Sequence, residues 1–598
     1  MPQIDTNKKT VILIAKFLKF PQEHKVIIKT MKSFFIIAFF FTFFLGCRPL
    51  KESSTVKTKL VQKKELTTLE LQNWYQKDFE EDSIPGISLE KFYRLNKKTP
   101  KSKSIIVAVI DTQIDINHED LQGQIWTNKK EIPNNGVDDD RNGYIDDVNG
   151  WSFTGTKSGG YVVWNRYEYV RIIQEWGPIF KDKKESKIDP KDLYKYNEYQ
   201  RALKKFEEKE PYYKRWFKSL NYKVALYPKA KDTLKYFFPK EDYTYKQLDS
   251  LYKKHKINDK EFWQRRNDND KDLGALIGSM MANLDMDQLT LEDVVDMQTQ
   301  LDSIVNKNLN IDYNERLLIG DNPNVLEKGY GNANVSNNKA GHRPIQDHCT
   351  KMAGIIGANR ENNIGIKGIV QNVKIMPLNI SPSGDEHDKD ITMAIRYAVD
   401  NGAKIINMSF SKQFSLHPEW VKEAIKYAEE HQVLLIRSAG NEGDDLDKVT
   451  YYATDTNFDD HKEFCSNFII VGSVNHRLDS NFVSDFSNYG KQNVDLFAPG
   501  DDIYSTAAGN TYKFDSGTSM SVPMVSGTAA LIWLYYPNLT VSQVKQIIMD
   551  SGTSYDLQVK VPGKENIKVP FSELSKSGKV LNVYNAMQLA AKVSKMRK

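Results

Sequence analysis

The sequence predicts an α/β protein whose mainly parallel sheet is covered by helices on both faces, and three observations predict it. Short, near-continuous apolar runs rich in β-branched residues recur along the chain, and stretches of helical periodicity separate them. The alternation is interrupted once, by a long charged and aromatic block. Strands buried on both faces lose the in–out alternation of a half-exposed sheet and read as unbroken apolar runs. The expected strands are 105–110, 374–379, 404–409, 433–438 and 468–473, with helices at 391–401 and 418–431 between them.

With 598 residues the chain is too long for one ordinary core, and its 40% hydrophobic content suffices for a large one. The net charge of +5 is small for this size and names no nucleic-acid partner. Three cysteines, Cys47, Cys349 and Cys465, are too few for a disulfide framework and lack zinc spacing.

From Met31, the expected start, the chain runs Met-Lys-Ser into an apolar stretch at 34–45 broken only by Thr42. That is short of the ~20 residues needed to span a bilayer and suits the apolar core of a signal peptide. It ends in Phe44-Leu45-Gly46-Cys47, which resembles a lipobox cut before a cysteine that takes a lipid. Residues 1–47 are therefore expected to be a signal peptide with Cys47 lipidated. That implies an exported protein anchored to a bacterial membrane, facing the periplasm or the cell surface. Residues 48–75, polar and rich in Lys, Thr and Glu, are expected to form a flexible tether, with order beginning near Trp74.

Asp111 ends the first apolar strand. Far along the chain comes His348-Cys349-Thr350-Lys351-Met352-Ala353-Gly354, and later Gly517-Thr518-Ser519-Met520-Ser521-Val522-Pro523 runs into an apolar helix. A fourth segment is Ser438-Ala439-Gly440-Asn441. Together these blocks, over about half the chain, resemble the signature segments of the subtilisin family of serine peptidases, whose order is Asp, His, Ser. The resemblance implies a subtilisin-like three-layer α/β/α sandwich and a serine endopeptidase working through an acyl-enzyme. His348 would take the Ser519 proton, Asp111 would hold the imidazole, and Asn441 would donate to the oxyanion. It implies protein or peptide substrates and no organic cofactor. Family members bind peptides by strand addition, which points to Ser409, Phe410 and Ser411 on one edge and Ser438, Ala439 and Gly440 on the other.

Two departures stand out. The family usually has Gly where this chain has Gln113 and Cys349. If either position needs φ > 0, the strain is roughly 1–2 kcal/mol. The departures support a second reading, a catalytically weak relative that binds peptides or a partner. A Cys349–Cys465 disulfide is compatible with export, and so are two free thiols.

The loop 134–147 alternates oxygen ligands with a turn glycine. Asp138, Asp140 and Asn142 match the first ligand positions of a calcium loop, with Gly143 at the turn and Asp147 to close the shell. No Glu stands at the twelfth position, so it is not a full EF-hand, and a structural calcium is the expectation.

The catalytic domain is thus expected in two parts, 76–153 and 336–595, split by a helical insertion at 154–335. Segments 190–220 and 246–266 have helical patterns. Residues 161–260 carry 25 Lys/Arg against 15 Asp/Glu, whereas 261–328 carry 6 against 14, so the two halves are expected to pack on each other. Lying between two triad-bearing segments, the insertion is expected near the cleft, where it would limit substrate size.

Overall fold

The structure is a computed structural model describing residues 65–285, 290–336, 343–457 and 462–596. The expected signal peptide and Cys47 lie outside these residues. The strands are β1 (Ile105–Asp111), β2 (Trp151–Ser152), β3 (Val373–Asn379), β4 (Ile405–Met408), β5 (Leu434–Ser438), β6 (Phe468–Val474), β7 (Leu496–Pro499), β8 (Ile503–Ala507), β9 (Thr511–Asp515), β10 (Thr553–Ser554), β11 (Gln558–Lys560), β12 (Lys568–Pro570) and β13 (Lys579–Val580). Nine form one sheet in the order β10-β13-β7-β6-β5-β4-β1-β3-β2. Every pairing in it is parallel except β10–β13. The five expected strands are all present, each within one residue of its expected bounds.

The helices that place the site are α1 (Thr68–Asn73), α2 (Leu89–Leu95), α3 (Glu168–Phe180), α4 (Leu193–Phe237), α5 (Tyr245–His255), α6 (Phe262–Asn267), α7 (Leu273–Asp285), α8 (Leu291–Ser303), α9 (Arg343–Gly357), α10 (Asp388–Asp400), α11 (Pro418–Glu430), α12 (Thr518–Tyr535), α13 (Val541–Ser551) and α14 (Val583–Lys595). Successive strand residues face opposite sides, so one sheet feeds two cores. Val107, Val109, Ile405, Leu434 and Ile436 pack against α9, α12, α13 and α14. Ala108, Ile110, Ile406, Met408 and Leu435 pack against α10 and α11. Helix α12 is buried along almost its whole length, which explains why its apolar residues show no one-sided pattern.

Order begins earlier than the expected tether allows. Thr67 and Glu70 form a capping box that starts α1, and Trp74 and Tyr75 are completely buried in the core. The described chain thus enters the fold within 48–75.

The insertion is helical, as its pattern predicts, but it begins later than 154. Residues 154–164 fold on themselves through the Gly155–Tyr161 bridge and stay on the catalytic domain through the Trp164–Ser383 bridge. Helix α4 runs 45 residues through Pro211 and Pro228 without a break in assignment. The segment 246–266, which has a helical pattern, contains two helices, α5 and α6. The basic α4 packs on α7 and α8 of the acidic half. Ser152 and Asn332 exchange both backbone hydrogen bonds, at 2.9 and 3.0 Å, and close the stem from which the insertion leaves and returns.

Candidate active site

Asp111 ends β1 and is 2% exposed. Its Oδ1 accepts a 2.6 Å hydrogen bond from Nδ1–H of His348 and another, at 2.7 Å, from the Thr112 N–H. A carboxylate only accepts, so the neutral imidazole carries its proton on Nδ1 and presents Nε2 as a base. Burial disfavours the imidazolium, but the Asp111 charge and hydrogen bond outweigh it and hold the His348 pKa above its ordinary value.

The helix carrying His348 is locked to the sheet end. The Cys349 N–H donates to Thr112 Oγ1 at 3.2 Å, and the Asp115 N–H to Thr350 Oγ1 at 2.9 Å. Gly354 is required by close approach: a Cβ there would lie 2.1 Å from Thr506 Oγ1 on β8.

Ser519 is the second residue of α12. Its hydroxyl donates to the Ser409 carbonyl at 2.8 Å, while Ser409 Oγ lies 3.0 Å from the Ser519 carbonyl. The β1–β4 register pairs Ile110 with Met408, so the next residues, Asp111 and Ser409, end neighbouring strands. Met352, one turn after His348, brings its sulfur 3.0 Å from Ser409 Oγ. The three expected residues therefore gather around the end of β4. Asp111 and His348 are bonded directly. Among the described residues no hydrogen bond joins His348 to Ser519, whose hydroxyl is turned onto Ser409.

Asn441 follows β5 and is oriented by Thr518. Its Oδ1 accepts from the Thr518 N–H and hydroxyl, each at 2.9 Å, so its Nδ2 donors are left for a ligand. They stand over the N-terminus of α12, where free N–H groups and the helix dipole favour negative charge. Thr518 thus fixes an amide that sequence alone named without an orienting partner. Gly440 has φ of +109°, and a Cβ would come 2.3 Å from Asn488 Nδ2, so glycine is required there.

The two expected peptide-binding edges differ. Ser409, Phe410 and Ser411 extend from β4 beside Ser519, with Phe410 half-buried against the core. On the other edge, Ser438 and Ala439 are buried; the Ala439 N–H donates to Val471 O, its carbonyl accepts from Asn488 Nδ2, and the Gly440 carbonyl accepts from the Asn488 N–H. The backbone of Ala439 and Gly440 is therefore largely committed within the protein. These residues form a wall, whereas on the first edge, beyond the buried Ser409, the residues Phe410 and Ser411 are half-buried.

The insertion meets this edge. Arg201 of α4 donates to the Gln413 carbonyl and stacks 3.8 Å over the Phe414 ring, and the Tyr194 and Tyr452 hydroxyls are 2.9 Å apart. The Lys412 ammonium, fully buried, sits 3.1 Å from Glu168 of α3 and 2.8 Å from Asp388.

Neither departure from the glycine pattern strains the backbone. Gln113 and Cys349 are absent from the residues with positive φ, and Cys349 lies inside α9. The Cys349 thiol is completely buried, which pushes its pKa well up and keeps it protonated. Cys349 and Cys465 are free and belong to cores on opposite sides of the sheet, so the allowed disulfide does not form.

In the acidic loop, carboxylate oxygens of Glu131, Asp138 and Asp140 lie within 4.8 Å of one another. Glu131 was not expected from sequence, since it stands outside the alternating stretch. The other two expected ligands are hydrogen-bonded within the protein. Asp147 is fully buried and accepts from Asn128 and Asn142, both at 2.9 Å, and from the Tyr397 hydroxyl. Asn142 Oδ1 accepts from the Tyr144 N–H at 2.8 Å. The Glu131 pKa is raised, first by burial and then by the charges of Asp147 and Asp140. This oxygen-only, electron-rich group suits a hard cation.

A model of the subtilase family (peptidase S8) matches residues 102–567. A thermophilic serine proteinase of Bacillus sp. (strain AK1) is 37% identical over 191 residues, 31% of this chain and 43% of that protein. A cell wall-associated protease of Bacillus subtilis (strain 168) is 31% identical over 223 residues, 37% of this chain and 23% of that protein. An intracellular serine protease of Paenibacillus polymyxa is 34% identical over 218 residues, 36% of this chain and 62% of that protein. The chain thus spans less than two thirds of the length of each of these relatives.

Proposed function

The chain belongs to the subtilase family, with the subtilisin-like α/β/α sandwich, and on that premise we propose that it is an exported, lipid-anchored serine endopeptidase that cleaves proteins or peptides. The observation that carries the activity is the 2.6 Å Asp111–His348 hydrogen bond beside the end of β4, where the Ser519 hydroxyl also sits. The mechanism requires the Ser519 hydroxyl to leave the Ser409 carbonyl and turn about its Cα–Cβ bond towards Nε2 of His348. His348 then takes the proton as Oγ attacks a peptide carbonyl, and Asp111 stabilises the imidazolium. The Asn441 amide and the Ser519 N–H receive the oxyanion. His348 returns the proton to the leaving amine, and water releases the acyl group by the same route.

A fluorophosphonate probe tests this directly. The wild-type chain is expected to be labelled and Ser519→Ala is not; an unlabelled wild type overturns the triad.

The anchor rests on the Phe44–Cys47 pattern after an apolar stretch. Palmitate incorporation by the full chain, lost in Cys47→Ala, is the expected result. Calcium is the cation we propose for Glu131, Asp138 and Asp140; when bound it supplies charge neutralisation that pins the loop. The insertion, held against the 410–416 segment, is proposed to limit how large a substrate reaches the cleft.

A further inference from the structure

The helix that carries His348 and the strand that leads to Ser519 are joined by two ion pairs of opposite polarity. Asp347 and Lys351 lie one helical turn apart on α9, flanking the histidine. Lys513 and Asp515 lie two apart on β9 and so share one face of that strand. Lys513 Nζ is 2.9 Å from Asp347 Oδ2, and Lys351 Nζ is 2.6 Å from Asp515 Oδ2. Asp347 and Lys351 are each 5% exposed. The buried ends, Asp347 and Lys351, cannot lose their partners without leaving an uncompensated buried charge, which holds the pairing in place. Backbone contacts reinforce the seam: the Ala508 N–H donates to Asp347 Oδ1 at 2.9 Å, Thr506 Oγ1 to the Thr350 carbonyl at 2.7 Å, and Ser505 Oγ to the Lys351 carbonyl at 2.9 Å.

From Asp515 only Ser516, Gly517 and Thr518 separate the strand from Ser519. Any sliding of β9 along α9 would therefore change the offset between base and nucleophile. The pairing 347–513 and 351–515 resists such sliding, because a shift by one strand repeat would set Asp347 against Asp515 or Lys351 against Lys513. Like charges would then face each other on one side of the seam.

We propose that Lys351 and Asp515 are positioning residues for the acylation step, setting both the place of His348 relative to Ser519 and the charge balance around its ring. This rests on the triad reading above. The charges acting on the imidazole are Asp111 at the end of β1, Asp515 in β9 and Lys351 in its own helix; the two carboxylates favour the imidazolium and the ammonium opposes it. The pair therefore acts on the base in two opposed directions, which separates its role from plain packing.

The test is the rate of fluorophosphonate labelling against pH for the full chain, wild type and variants. In Asp515→Asn the ring loses a favourable carboxylate and faces an unpaired ammonium, so the midpoint of the rising limb moves down by about half a pH unit. In Lys351→Met it faces an unpaired carboxylate, and the midpoint moves up by about the same amount. Lys351→Arg keeps the charge and is expected to keep the wild-type midpoint. Opposite shifts in the two charge-removing variants, with retention in the arginine variant, support the proposal. Midpoints that stay at the wild-type value, even with slower labelling at every pH, assign the seam to packing and overturn it alone. An unlabelled wild type overturns the triad reading, and this inference with it.

Discussion

Glu168 and Lys412 are 244 residues apart in sequence and meet at 3.1 Å, with side chains 1% and 0% exposed. One belongs to the insertion and the other to the segment that follows β4, so the helical block is bonded to the catalytic domain through a sealed ion network. Asp388 completes it at 2.8 Å from the same ammonium. Lys412→Met leaves Asp388 buried without its cation, while Glu168 keeps Arg171, and breaking such a group costs about 3–5 kcal/mol. The expected outcome is a lower denaturation midpoint, read by tryptophan fluorescence. A variant as stable as the wild type would show that the network contributes nothing to the union of the two parts.

With His348 as the proposed base, the direction of the pH response follows. Activity needs the neutral ring, so labelling is expected to appear as pH rises through a value above the ordinary imidazole pKa. Stability runs the other way. A raised folded pKa means that the Asp111–His348 pair adds stability fully below the unfolded imidazole pKa and loses it as pH climbs through the folded value. Asp111→Asn is expected to slow labelling by about 10⁴-fold and to flatten this part of the melting curve against pH.

Asn441 presents its Nδ2 donors to the start of α12 while Thr518 holds its oxygen. Asn441→Ala is expected to lower the rate of peptide hydrolysis by about 10²–10³-fold, the loss known for the oxyanion donor of subtilisin itself. Ground-state binding of peptide should change little. Equal losses in kcat and in binding would move Asn441 from oxyanion stabilisation to substrate contact.

If Glu131, Asp138 and Asp140 hold a cation, calcium at about 100 times its Kd adds about 2.7 kcal/mol to stability. Melting with calcium and with a chelator should then differ in the wild type and coincide in Glu131→Gln. Identical wild-type midpoints in both conditions would leave the loop as an acidic turn without a metal.

The strands were readable because each lies buried on both faces and so prints an uninterrupted apolar run; β1 and β3 to β6 match their expected bounds closely. The short strands β2, β10 and β13 contribute only two residues each, too few to show any period. The hairpin β8–β9 was missed because its second strand is only half-buried and mixes Lys, Asp and aromatics. At the site, the motifs named Asp111, His348, Ser519 and Asn441, since each is fixed by local pattern. Glu131, Asp347 and Lys513 escaped because their meaning lies in partners distant in sequence or outside a motif. Residues Asn142 and Asp147 have ligand chemistry at ligand spacing, yet they bond to each other. The order beginning at Thr67 was hidden because a capping box in polar sequence looks like a tether until Trp74 and Tyr75 are seen to be buried.

The Ser152–Asn332 rung has a consequence for how this protein arose and how it can be rebuilt. Because the outgoing and returning chains are already hydrogen-bonded neighbours, the block beyond them leaves and re-enters the domain at one place, and buried ion pairs such as Glu168–Lys412 and Arg316–Asp390 then seat it. Its length can grow or shrink without altering the strand order that aligns the base with the nucleophile. Evolution, or an engineer, can exchange the block for another at the same hinge-free junction, provided the replacement brings an acid to meet Lys412.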